Sequence, residues 1–155
     1  DLRVKTNKNI SKILKEENKF RVTSKKSSLN YQKNLDKKKE NVIKNINWLK
    51  KKYKKVYGYA ASAKATVSMN FFGLNNNYIT NMIDDNPLKK GKYIPGTGVK
   101  IISKHKLKKQ KCVIVFAWNM FDEIKNGNLD KFQIFINIRD LYNINFIKKF
   151  KNRLL

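Results

Sequence analysis

A single cysteine, Cys112, is all that this chain of 155 residues holds, so no disulfide can close within it and no cysteine-based zinc site can form. It stands in the apolar run CVIVFAW at 112–118, where a thiol serves as a small buried hydrophobe. Histidine is as scarce. His105 lies in KHKLKK, among like charges that give an imidazole no partner to orient it, so it is expected at the surface. No catalytic residue and no metal ligand is assigned anywhere in the chain. No apolar run approaches the ~18 residues that span a bilayer, and no stretch resembles a cleavable signal, so a soluble cytoplasmic protein with no membrane partner is expected.

Acidic residues are few, 11 against 36 basic ones, for a formal net charge of +25. Such an excess ordinarily points to a polyanionic partner. The kind of base argues otherwise. Only Arg3, Arg21, Arg139 and Arg153 are arginine, the side chain suited to bidentate phosphate and guanine contacts; the other 32 are lysine. Asn and Ile are also heavily used, with 21 and 16 copies. The codons of Lys, Asn and Ile are all rich in adenine and thymine, so gene composition is enough to account for much of the charge. A solvated lysine surface with no specific nucleic-acid partner is the expectation, and a basic nucleic-acid-binding protein is kept as an alternative. Weak, indiscriminate binding to polyanions at low salt follows in either case.

With 41% hydrophobic residues, the chain can bury one core and hold one domain plus an arm. The stretch VYGYAASAKATVSMNFFG at 56–73 is where backbone must come close to something. Gly58, Ala60 and Ala63 occupy the three small positions of a dinucleotide-type G-x-G-x-x-G turn, a degraded form of that fingerprint. The same spacing also fits a tight strand-to-helix connection with no ligand. From 61 to 71 polar and apolar residues alternate, which by period argues strand, while the alanines and the preceding small-residue turn argue helix; a helix is expected.

Along the chain, residues 2–4 fit the end of a strand, and Ile10, Ile13 and Leu14 mark a short helix with a narrow apolar stripe. Ser27 or Ser28 is placed to cap a long helix over 29–53, with Tyr31, Leu35, Val42, Ile46, Leu49 and Tyr53 on its apolar side. Strands are expected at 56–59, 78–84, 99–102, 112–118 and 133–138, and helices at 103–111 and 119–126. The run at 112–118 has the character of a central strand buried on both faces. Residues 145–155 fit a basic tail. Strands alternating with helices make an α/β domain with a mostly parallel, Rossmann-like sheet and flanking helices, preceded by a long N-terminal helix.

Three stretches, GYAASAKA at 58–65, DDNPLKKGKYIPGT at 84–97 and AWNMFDEI at 117–124, resemble in order and spacing the C-terminal domain of the sugar C-methyltransferases. These enzymes move a methyl group from S-adenosylmethionine to a carbon of a nucleotide-linked keto-deoxysugar. The resemblance covers 56 to about 142, and the opening DLRV is similar to the end of the strand that closes the preceding methyltransferase domain. It implies that residues 1–28 are a linker and the end of that domain, 29–142 the Rossmann-like domain and 143–155 a basic tail. It also implies that the chain is part of a longer enzyme whose methyl-donor and acid/base residues lie elsewhere. S-Adenosylmethionine would be bound by the preceding domain, against which this one packs, and no cofactor directly by this chain.

Carried over residue by residue, the resemblance implies a nucleotide-sugar site made by Gly58, Tyr59, Ala60, Ser62, Lys64, Asp84, Asn86, Trp118 and Asn119. The amides of 60–63 at a helix N-terminus would face the pyrophosphate or sugar, Lys64 would add a point charge, and Asp84 would hold a ribose hydroxyl. Asp84 and Asn86 fit equally a turn cap before Pro87. Ala60 stands where the family has its second glycine; its methyl group is tolerated if φ is negative and costly if φ is positive. A freestanding nucleotide or nicotinamide-cofactor module, suggested by Gly58, Ala60, Ala63 and Asp84, is the alternative from another class.

Overall fold

The computed structural model of the chain describes residues 8–20 and 24–152. The strand expected at 2–4 lies outside them. Two compact units, 1–37 and 38–155, divide the chain. The first holds helix α1 (Lys8–Lys19) and the start of helix α2 (Lys25–Tyr53). Ser24, not Ser27 or Ser28, caps α2: its Oγ accepts from the Ser27 N–H at 3.2 Å, three residues on, as an N-cap must. The helix runs unbroken through the boundary expected at 28–29. Ile10, Ile13 and Leu14 of α1 are exposed.

The second unit is built on five strands, β1 (Val56–Tyr59), β2 (Met82–Ile83), β3 (Ile101–Ile102), β4 (Gln110–Val115) and β5 (Phe132–Asn137). They lie in the order β3-β2-β1-β4-β5, with every pair parallel. Period-two alternation sends their side chains into two cores. Val56, Cys112, Ile114, Phe116 and Ile136 face one, covered by Val42, Ile46 and Leu49 of α2 and by Ala65, Met69 and Phe72 of helix α3 (Ala63–Phe72). Tyr57, Tyr59, Val113 and Val115 face the other, with Ile124 of helix α4 (Phe121–Asn126). From Cys112 to Val115 every residue of β4 is buried, and burial pushes the Cys112 thiol up to about 12. The helix expected after the small-residue turn is α3. Its core residues fall four and three apart, Ser62 caps its start through the Ala65 N–H, and Gly73, at φ 70°, ends it.

Three expectations change. Residues 103–111 are not a helix: Ser103 caps a single 3-10 turn at Lys104–Lys106, and β4 begins at Gln110. Lysines with no apolar repeat cannot bury a helix face. The strands expected over 78–84 and 99–102 shrink to two residues each; Tyr78 and Ile79 both donate to the Asn75 carbonyl in a turn. The segment expected as a basic tail contains helix α5 (Phe146–Asn152), whose Phe146 and Phe150 are buried. Both rings meet Trp48 of α2 edge-on, at 6.5 and 5.7 Å between centroids.

No helix among the described residues is long and apolar enough to cross a membrane. Phe150→Ala is expected to cost about 3 kcal/mol in a denaturant titration of this chain, as for truncation of a buried aromatic, whereas Lys149→Ala, on the exposed side of the same helix, should leave the midpoint in place.

Candidate functional site

Strands β1 and β4 are neighbours, yet their connections leave in opposite directions: β1 runs through α3 to β2, and β4 runs through α4 to β5. Their C-terminal ends therefore border a topological switch point, the crevice where open α/β sheets bind ligands. Lys64, in the first turn of α3, reaches from the β1 side to the β4 side. Its Nζ donates to Asn119 Oδ1 at 2.7 Å and lies 4.9 Å from the centre of the Trp118 ring. Trp118 is half-buried against the first core, while Lys64 and Asn119 are exposed. Both partners of the ammonium are neutral, and no carboxylate among the described residues pairs with it. These three of the nine expected residues thus come together as a held, unneutralised cation beside an aromatic face.

The turn between β1 and α3 is tied differently from what the fingerprint suggests. Ala60 has φ 73°, the left-handed region where a Cβ is strained. Its N–H donates to the Ile83 carbonyl at 2.8 Å, and its own carbonyl accepts from the Ser62 N–H at 2.9 Å. The Ala61 N–H donates to Asp84 Oδ2 at 2.8 Å. The amides of Ala60, Ala61 and Ser62 are thus engaged within the protein, and only those of Ala63 and Lys64, which lack intrahelical acceptors, are left for an anion. Ser62 uses its hydroxyl oxygen to cap α3.

The other expected residues serve the frame. Gly58 lies inside β1, where a Cβ would come within 2.8 Å of Met82 Sδ and Cε. Its lack of a side chain makes room for sheet packing, not for a phosphate. Tyr59 is buried, and its hydroxyl donates to Asp85 at 2.7 Å, with Asn128 Oδ1 at 3.2 Å. Burial first, then the Asp85 carboxylate, pushes the phenol well above its ordinary range. Burial also pushes the Asp85 carboxyl up, but the Tyr59 hydroxyl and Lys104, 3.0 Å away, outweigh it and hold it below the usual value. Asp84 accepts from the Ala61 and Asn86 amides and from Lys89 Nζ at 3.1 Å. Asn86 accepts from the Leu88 N–H, capping the 3-10 turn Pro87–Lys89. The turn-cap alternative for this pair is the geometry found.

Sequence reasoning missed Lys89 and Asn128. Asn128 is buried, and its amide donates to the Ile124 carbonyl at the end of α4. Cavities of 170 Å³ against α5 and 390 Å³ along β3 do not include Lys64, Trp118 or Asn119. The crevice is an open ledge. No cluster of His, Cys, Asp and Glu among the described residues is arranged to hold a metal ion.

Ala60→Gly is expected to raise the unfolding free energy of this chain by about 1 kcal/mol, because it removes the left-handed penalty of the Cβ and gives back only part of it as chain entropy. A denaturant melt in which the glycine variant is no more stable would show that the turn carries no such strain.

No curated protein sequence matches the chain. Residues 2–133 match the family described as the C-methyltransferase C-terminal domain, with the switch-point ledge and the turn that flanks it inside the matched span, and the chain belongs to that family.

Proposed function

We propose that this chain is the substrate-holding domain of an S-adenosylmethionine-dependent sugar C-methyltransferase, and that its ligand is a nucleotide-linked keto-deoxysugar. The observation that carries this reading is the Lys64 ammonium, held by Asn119 and over Trp118 without a counter-ion at the switch point. A diphosphate is the complementary charge. The ammonium pairs with a phosphate oxygen, the free amides of Ala63 and Lys64 add roughly 0.3–1 kcal/mol toward the anion, and the indole of Trp118 offers a flat apolar face to the sugar or base. Asn119 keeps its amide N–H groups free to donate while its oxygen orients the lysine.

S-Adenosylmethionine does not fit the residues of this chain. The carboxylate at the end of β2 that would take a ribose diol is Asp84, which is largely buried and already accepts three hydrogen bonds. The same fact weighs against a freestanding nicotinamide-cofactor module, and it removes the ribose contact expected of Asp84 in the nucleotide-sugar site. The methyl donor is then held by another domain of a longer cytoplasmic enzyme. That domain supplies the second wall of a site that is only a ledge here, since small-ligand sites enclose most of their ligand. Chemistry on the sugar carbon belongs to that domain; Lys64, Trp118 and Asn119 bind and orient.

Titration of this chain with thymidine diphosphate or cytidine diphosphate, followed by tryptophan fluorescence with Trp118→Phe as the control for the signal of Trp48, tests the reading. Lys64→Ala should weaken binding about tenfold, and Asn119→Ala about threefold by leaving the lysine unheld, while the uncharged nucleoside should respond to neither. NAD binding tighter than either diphosphate would sink the proposal in favour of the cofactor module. Steeply salt-dependent, structure-selective binding of nucleic acid would replace it with the third alternative.

A further inference from the structure

Lys89 comes from the basic run KKGK at 89–92, to which no role has been attached. Its ammonium donates to the Ala61 carbonyl at 2.8 Å and to Asp84 Oδ2 at 3.1 Å. The same Asp84 oxygen accepts from the Ala61 N–H. One ion pair therefore grips both backbone polar groups of Ala61, the residue that follows the strained Ala60. The segment carrying it is itself closed. Asp84 Oδ1 accepts from the Asn86 N–H at 2.9 Å, Asn86 Oδ1 accepts from the Leu88 N–H at 2.9 Å, and the Lys89 N–H returns to the Asn86 carbonyl at 3.1 Å. The spacing D-x-N-P-x-K is what lets a chain that leaves Asp84 come back to it after one 3-10 turn.

A left-handed alanine persists only where its surroundings over-determine it. At Ala60 these are the Ile83 carbonyl, the Asp84 carboxylate and, through Ala61, Lys89. Asp84 without Lys89 would be a largely buried, uncompensated carboxylate bonded to Ala61, three residues before Lys64, and would oppose any anion that approaches the ledge. Lys89 removes that opposition while fixing the direction in which α3 starts, and with it the place of Lys64.

We infer that Lys89 is a positioning residue for the substrate ledge: with Asp84 it clamps the Ala61 backbone on both sides of its Cα, holds the left-handed β1–α3 turn and neutralises the carboxylate bonded to that turn. This rests on the proposed diphosphate site for its functional consequence, though not for the clamp itself.

The test compares Lys89→Met, which keeps the length of the stem, and Lys89→Arg with the unchanged chain. It reads amide hydrogen exchange at Ala61 and Ser62 and thymidine diphosphate binding. Lys89→Met should lose about tenfold of the exchange protection at these two amides and none at Val113 in the sheet. It should also weaken thymidine diphosphate about tenfold, with thymidine unaffected. Lys89→Arg should restore most of both. Should Lys89→Met fail to fold, Asp84→Asn keeps an acceptor for Ala61 but not the charge, and is expected to lose protection in the same way. Unchanged protection at Ala61 in a folded Lys89→Met or Asp84→Asn chain overturns the clamp, as does loss that arginine does not rescue. If the unchanged chain binds no nucleoside diphosphate, the proposed function fails while the exchange measurement still decides the clamp.

Discussion

Strand β1 is enclosed on both faces and paired along both edges, and the rest of the sheet unit is arranged around how its four residues are accommodated. Gly58 makes this possible by giving its side-chain space to Met82 and Phe116, which meet there from β2 and from the end of β4. Parallel pairing on both sides obliges the chain to cross over the sheet between strands. The crossover after β1 is α3 on one face, and the one after β4 is α4 on the other. The crevice at the C-terminal ends of β1 and β4 is a consequence of that divergence.

The turn that leaves β1 carries strain for the same reason. The chain must go from the sheet into α3 within three residues, and Ala60 takes a conformation that glycine would adopt more easily. The amide N–H groups that would answer a phosphate in a glycine-rich loop are here used to hold the turn, donating to the Ile83 and Ala60 carbonyls and to Asp84. The groups left open to an anion are then the Lys64 side chain and the first free amides of α3.

A net charge of +25 says little about which lysines matter. Lys64 and Lys89 differ from the solvated majority in what holds them. Lys64 is fixed by neutral groups and keeps its charge available; Lys89 is fixed by a carboxylate and a carbonyl and has its charge cancelled. One suits a ligand and the other suits a frame.

Local pattern alone determined the elements whose burial follows from period or run length, the apolar β4 and the long α2, and, through the alternation of strands and helices, the parallel α/β class; for α3 the period argued strand, and the small-residue turn before it decided for helix. Local pattern also put Trp118 and Asn119 at the end of the strand, and they lie just beyond β4 in the 3-10 turn Trp118–Met120; the family resemblance singled out Lys64, whose ammonium meets both. The fates of Gly58, Tyr59, Asp84 and Asn86 depended on tertiary structure, because each is set by a partner distant in sequence or by the closing of a turn: Met82 against Gly58, Asp85 and Asn128 on Tyr59, Ala61 and Lys89 on Asp84. The same holds for α5, where two phenylalanines four apart, set among lysines, join the core through Trp48 and the other residues of the first cluster. Periodicity records which side of an element is apolar, but not which remote group a polar atom meets, and that meeting made Asp84 and Lys89 a clamp.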